Sequence, residues 1–363
     1  MNAHHALQQR DARPVLITGG SGFIGCNIAD ALAGRGGRVL ILDNFSRHGA
    51  KEHAAWLKDR HGERIEIVTG DVRDAEEVRL AVRKASAVLH LAAQVAVTTS
   101  LEHPLEDFDV NARGTLHVLE AVRNENPRAP VLFASTNKVY GRLLHDDEVV
   151  TNELRYRPLD NRLAAGVAET ACLDFHSPYG CSKGAADQYV HDYARVFGLR
   201  TVVLRMSCIY GPRQFGTEDQ GWIAHFLLQA INDRPIRIYG DGLQVRDALH
   251  ISDAVAAWLA ALDSIDQVAG RTFNLGGGPE NTTSLLELIE LIGQLRGARP
   301  QVRFDAWRPG DQPWYVSNIG AISQALDWRP RVNMRQGLRT LEAWLERRFG
   351  LALPSMEREE VGA

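Results

Sequence analysis

Six short apolar runs punctuate the first two-thirds of the chain: PVLITGG (14–20), RVLILDN (38–44), IEIVTGD (65–71), AVLHLAA (87–93), PVLFAST (130–136) and TVVLRMS (201–207). They are rich in β-branched residues and lack apolar/polar alternation, which predicts strands buried on both faces, as in a parallel sheet. TFNLGG (272–277) supplies a candidate seventh strand. Helical patterns at 25–35, 110–124 and 178–197 lie between these runs. Strand and helix in alternation predict an α/β fold, a doubly wound parallel sheet.

After Ser207 the rhythm breaks, Gly and Pro become frequent, and only SLLELIELIGQL (284–295) and GLRTLEAWLERRF (337–349) are strongly amphipathic. This part reads as a smaller domain that caps the sheet. The helix following GDGLQVRDALHISDA (240–254) is expected to return to the sheet. The division is then 1–207 plus about 243–277 for the sheet domain, and about 208–242 plus 278–363 for the second. One interruption, 142–175, is too long for an ordinary connection and reads as a functional flap or a packed insertion.

Composition narrows the class without selecting a chemistry. The 363 residues are 45% hydrophobic and 24% charged, which excludes collagen-like, disordered and disulfide-scaffold proteins. At roughly 150 residues per domain, two domains fit. Lys plus Arg number 41 against 45 Asp plus Glu, a net −4 that disfavours a nucleic-acid partner. No apolar run approaches the roughly 18 residues that cross a bilayer, so no membrane partner is expected. MNAHHALQQRDARP at the start lacks the apolar core of a secretory signal and reads as a polar tail. Cys26, Cys172, Cys181 and Cys208 show no C-x-x-C spacing, which fits reduced thiols in a cytoplasmic protein and no metal site.

Three motifs carry chemistry. In TGGSGFIG (18–25), Gly19, Gly22 and Gly25 lie between a strand and a helix. Such glycines let backbone approach a pyrophosphate, and the helix N-terminus attracts its charge. Asp43 closes the next strand, where a carboxylate binds an adenosine ribose and repels a 2′-phosphate, so NAD is favoured over NADP. Arg47 is placed to stack on adenine or tolerate a phosphate. Tyr179 and Lys183 form Y-x-x-x-K, one turn apart on a helix face. A phenol with pKa near 10 needs neighbouring positive charge to act as a base, and the ammonium offers it together with a charged nicotinamide. STNKVYG (135–141) ends a strand, where ligands of open α/β sheets bind. The Thr136 hydroxyl is placed to bridge a substrate oxygen and Tyr179. Ser135 is the competitor, although alternation points it away.

TGGSGFIG, HLAAQ (90–94), VNARGTLHVLEAV (110–122), Tyr179 with Lys183 and GDGLQVRDALHISDA together resemble the extended short-chain dehydrogenase/reductase superfamily, the NAD-dependent epimerases and dehydratases, over nearly the whole chain. QVAVTTS (94–100), STNKVYG, LDFHSPYGCSKGAADQY (173–189), YGPRQFGTEDQGW (210–222) and GDQ (310–312) look like the CDP-paratose (CDP-tyvelose) 2-epimerases. The resemblance implies that Phe23, Ile24, Asn44, Leu91, Ala92, Ala93, Gln94 and Asn111 join the glycines and Asp43 around the cofactor, with Asp71 and Val72 at adenine. It makes Tyr179 the base, Lys183 its partner and a nicotinamide-ribose ligand, and Thr136 the third member. Thr98, Asn137, Lys138, Cys208 and Asp311 would face substrate, with Arg246, Arg213, Gln214 and Arg308 as candidates to hold its diphosphate. Asn137 and Lys138 stand where related dehydratases carry acids, which disfavours dehydration. Met206, Cys208 and the insertion beginning RLLHDDE (142–148) depart from the narrower pattern, at places that by analogy face the nicotinamide or the sugar.

The resulting expectation is a Rossmann-fold isomerase with tightly bound NAD that inverts C2 of a CDP-linked dideoxyhexose through a transient 2-keto sugar. The rivals are a 4-epimerase of a UDP-, GDP- or TDP-linked sugar and a non-catalytic NAD-binding sensor. Helices at 110–124 and 178–197 pair between subunits in this superfamily, which implies a homodimer or a tetramer of dimers. His90, His176 and His250 read as core or supporting residues, Asp146 to Glu148 as a solvated loop, and Cys181 as unreactive for want of a basic partner.

Overall fold

The computed structural model describes residues 13–308 and 310–350, so the polar stretch expected at the start lies, up to residue 12, outside the described residues. Seven parallel strands run edge to edge as Arg271–Leu275, Thr201–Met206, Val131–Thr136, Ala87–His90, Val15–Thr18, Val39–Asp43 and Ile65–Thr69. Sequence order reverses beside Val15–Thr18, the switch point where open α/β sheets bind ligands.

Continuous apolar runs are explained by cover on both faces. Leu16, Leu40, Val88, Phe133 and Val203 point into one core, while Ile17, Ile41, Leu89, Leu132 and Leu204 point into the opposite one. The helices Ala75–Arg83, Gly114–Glu125 and Ser177–Phe197 cover the first face. Phe23–Gly34 and Ile251–Asp263 cover the second, so the helix after 254 does return to the sheet. Strand Ile65–Thr69 departs from expectation: only Ile65 is buried, because this strand forms the sheet edge.

A third core gathers Tyr210, Trp222–Ile231, Val302 and the helices Leu285–Arg296 and Met334–Phe349. Helix Trp222–Ile231 shows no clear amphipathic stripe in the sequence because it is apolar on most of its surface. Ile322 and Trp328, although late in the chain, pack back into the sheet's core. The interruption at 142–175 contains an antiparallel hairpin, Val149–Asn152 with Arg155–Pro158. Tyr156 N–H donates to Leu243 O at 2.9 Å, and Arg155 Nε donates to Glu287 at 2.5 Å. The segment is a packed insertion, tied through its hairpin to Leu243 and to helix Leu285–Arg296. No described helix is long and apolar enough to cross a membrane.

Candidate active site

The glycine turn opens a cavity of about 390 Å³ at the strand ends. Gly19 has φ +69, and a Cβ there would lie 2.7 Å from Ala92 N; one on Gly25 would lie 2.5 Å from Gly19 O. Both positions therefore demand glycine. No side chain caps helix Phe23–Gly34, which leaves the positive end of its dipole and its first-turn amides for an anion. Gly22, Phe23 and Ile24 line the cavity there, and Leu91, Ala92, Ala93 and Gln94 line its facing wall.

Asp43 accepts from Ser21 N–H at 2.9 Å on one oxygen and from Phe45 N–H at 2.8 Å on the other. Each oxygen keeps a lone pair for a ribose hydroxyl. Burial pushes this carboxyl up, and the two amides oppose the shift. Asp71, Val72 and Asn44 line the same end. Burial raises the Asp71 carboxyl, but bonds from Arg73 and Asn44 overcome it and bring it down to about 2. Ser21 Oγ and His53 Nε2 are buried without partners beside the turn, and His53 lines the cavity. A narrow glycine cradle, an uncapped helix end, an adenosine-end carboxylate and orphan polar atoms together fit a dinucleotide.

A second cavity of about 300 Å³ adjoins the first. Tyr179 lines both, with Val95 and Gln220. Its N–H donates to Ser100 Oγ at 3.2 Å, and its phenol is hydrogen-bonded to Thr136. Thr136, and not Ser135, meets the phenol, while Ser135 Oγ turns to Asp187 Oδ2 at 2.6 Å. Burial pushes the Tyr179 phenol up to about 12, Thr136 and Arg47 pull it down, and Asp107 pushes it further up. Lys183, 2% exposed, is brought down to about 7 by burial against the opposing pull of Asp187 and Asp107. Its Nζ lies 4.1 Å from the centre of the Phe133 ring. The expected depression of the phenol by Lys183 is thus not what the protein alone supplies. The cation acting on the phenol is Arg47.

Thr98, Asn137, Lys138, Cys208, Arg246, Arg308 and Asp311 all line the second cavity. Thr98 Oγ1 is buried without a partner. Arg246 Nη2 meets Asp311 at 2.6 Å, and Lys138 Nζ lies 3.9 Å from the same carboxylate. Burial alone would raise Asp311, yet Arg246 and Lys138 hold it below the usual range, so it is no proton donor near neutrality. Arg308 lies 3.9 Å over the Tyr239 ring. Trp222 Nε1 donates to Cys208 Sγ at 3.4 Å, and burial raises that thiol.

Three placements differ from the expectation: Arg213 with Gln214, Asn111 and the insertion. Arg213 and Gln214 line the first cavity, not the second, because Arg213 Nη1 is drawn to Asn27 Oδ1 at 2.6 Å on the first helix. Asn111 lies beneath the cofactor wall: it accepts from Gln94 N–H at 3.0 Å and donates to Asp107 and Ser182 at 3.1 Å. Arg47 lines the first cavity, as expected of a cofactor-side residue, and donates to Gln220. The insertion lines neither cavity. Met206 and Cys208, in contrast, do face them, one each.

Sequence reasoning missed two buried carboxylates. Asp107 accepts from Ser182, Gln94 and Asn111 under the start of the tyrosine helix. Asp187 accepts a bidentate pair from Arg205 at 2.9 Å. The spacing of Asp107 and Asn111, four residues apart, was the available signal, hidden because the helical segment begins earlier than its apolar pattern, with Pro104–Phe108. His90 is buried between Thr18 and Thr115, and burial brings it down to about 3, a neutral supporting residue.

Residues 15–276 match the family described as NAD dependent epimerase/dehydratase. The chain is 42% identical over 337 residues to the CDP-paratose 2-epimerase of Salmonella typhi, covering 91% of this chain and 98% of that one. Among solved structures, the UDP-glucose 4-epimerase of Thermus thermophilus, in complex with NAD, superposes with a TM-score of 0.77 at 30% identity over 92% of this chain and 99% of its own. The UDP-glucuronic acid 4-epimerase of Bacillus cereus, with UDP-glucuronic acid and NAD, gives 0.79 at 25% identity over the same shares.

Proposed function

The chain belongs to the NAD dependent epimerase/dehydratase family, and we propose that it inverts C2 of a CDP-linked dideoxyhexose. One observation carries the reading: the Tyr179 phenol stands at the seam of two cavities, one fitted to a dinucleotide and one lined by cations. The curated relative at 42% identity favours C2 and cytidine over the 4-epimerase reading.

Bound NAD supplies an acceptor and donor of hydride at one sugar carbon, so that the carbon is oxidised and then reduced from its other face. Tyr179 Oη takes the proton of the reacting hydroxyl and returns it. Thr136, bonded to that phenol, orients it and offers a second bond to the sugar oxygen. Lys183 supplies a cation to the ribose side and Asp43 holds the adenosine ribose. Arg246, with Lys138 and Arg308, holds the diphosphate, a fixed anchor about which the keto sugar turns. Asn137 and Lys138 offer no carboxylic acid, and Asp311 is kept ionised by its cations, which supports epimerisation over loss of water.

The two-domain division of the sequence serves this scheme, with residues 320–328 packed on the cofactor side. Leu105 (80% exposed), Phe108, Val196 and Phe197 leave an apolar face on the helices at 97–108 and 177–197, which supports a homodimer or a tetramer of dimers. Four free cysteines, Cys26 fully buried, favour the reducing cytoplasm. Conversion of CDP-paratose, followed by NMR in D₂O, tests the route. Inversion at C2 with protium retained is expected; solvent deuterium at C2 would falsify hydride return, and inversion at C4 would favour the rival.

A further inference from the structure

The segment 213–221 belongs to both cavities. Arg213, Gln214 and Phe215 line the first, Glu218, Asp219 and Gly221 the second, and Gln220 both. Its anchor is Phe215. A Cβ on Gly49 would lie 2.2 Å from Phe215 Cδ2 and Cε2, so the ring occupies the space that any other residue at 49 would fill. Gly49 opens helix Ala50–His61 with φ +82, a conformation that independently favours glycine. The ring also meets His53 at 5.2 Å, His48 at 5.3 Å and Trp344 at 5.5 Å. Two further ties flank it: Arg213 stacks 3.8 Å over Trp56, and Gln220 accepts from Arg47. The segment therefore spans the cofactor cavity and is seated on cofactor-side helices by side chains from three directions.

We propose that Phe215 is the positioning residue that retains NAD through turnover, and that a nucleotide in the second cavity tightens its hold. An epimerase of this kind returns the hydride it removed, so a cofactor lost midway strands the keto sugar. A ring keyed into a glycine gap is a side-chain lock that must unseat before the segment swings aside. Arg308, which lines the second cavity, donates to Glu218 O at 3.0 Å and pairs with Asp219 at 3.2 Å, so a nucleotide held by that guanidinium braces the same segment from its other side. The inference rests on the placement of NAD in the first cavity, and not on which sugar or carbon reacts.

The test measures NAD loss from the loaded full-length protein after dilution, with and without CDP as the probe. CDP is expected to slow the loss from the unaltered protein. Phe215→Ala is expected to lose NAD roughly tenfold faster or more, since such changes act mainly on dissociation. Its epimerase activity should then depend on added NAD, with kcat restored when NAD is saturating. Phe215→Leu, which keeps bulk in the gap, should fall between and guards against a variant that fails to fold. Unaltered NAD loss in either folded variant, or equal loss from the unaltered protein with and without CDP, overturns the proposal. Activity that added NAD does not restore, in a folded variant, likewise overturns it.

Discussion

The two cavities on either side of Tyr179 are built by different means. The glycine-turn end of the first is cut by backbone: glycines at 19, 22 and 25, an uncapped helix end and the small Ala92 and Ala93. The second is walled by long charged side chains, Lys138, Glu218, Arg246, Arg308 and Asp311, delivered by segments far apart in the chain. A cofactor of constant shape suits a site made of main chain, which sequence drift alters least. A substrate that must be told from its relatives calls for side chains, each replaceable alone. The phenol between them belongs to both, and it is where the contrast is easiest to break.

Removing that phenol gives the largest effect. Tyr179→Phe should lower kcat about 10²–10⁴-fold, the range for a positioned acid/base, with NAD content unchanged. Steady-state rates beside NAD released on denaturation check this.

The second prediction concerns charge on the cofactor side. Lys183 has an ordinary value of 10.5 and a folded value of about 7. Between those limits the unfolded chain binds the extra proton, so in NAD-depleted protein this group makes stability rise with pH, by up to about 1.4 kcal/mol per unit. Below pH 7 and above about 10.5 its contribution is flat. Lys183→Met should remove that slope in urea unfolding measured from pH 7 to 10.

The backbone cradle and the side-chain wall then respond in opposite ways. Gly19→Ala, which forces a left-handed residue against Ala92, should cost about 1–3 kcal/mol and empty the protein of NAD. Arg246→Met should keep NAD and raise KM for the nucleotide sugar about 10–100-fold, as loss of a charged hydrogen bond implies. If Arg246→Met instead loses NAD with no nucleotide sugar present, Arg246 serves the cofactor cavity as well. The smallest effect is expected in the insertion, where Arg142 and Asp146 pair at 2.6 Å in solvent. Asp146→Asn should change stability by less than about 0.5 kcal/mol and leave KM unaltered.

Legibility in the sequence follows the same divide. Gly19, Gly25, Asp43, Tyr179 and Lys183 are readable because each is fixed by a turn, a strand end or one helical turn. Asn111 reads as a cofactor contact, but a helix only states its own face, and the depth of that face below Gln94 depends on the wall opposite. Arg213 and Gln214 read as sugar-side residues, because nothing local says toward which cavity a loop folds. The insertion is expected near the sugar, yet its strands pair with each other and find a hydrogen bond at Leu243 and an ion partner at Glu287.

The sequence by itself determined the parallel sheet, the glycine turn and the Tyr179–Lys183 spacing. Continuous apolar runs, a 3.6-residue period and a four-residue helical step are local properties of the chain and need no distant partner. Tertiary structure alone decided that Tyr179 stands at the meeting of two cavities, that burial outweighs Thr136 and Arg47 at the phenol, and that segment 213–221 crosses the cofactor side. Desolvation and loop position arise from packing between elements far apart in the chain, and no local spacing encodes them.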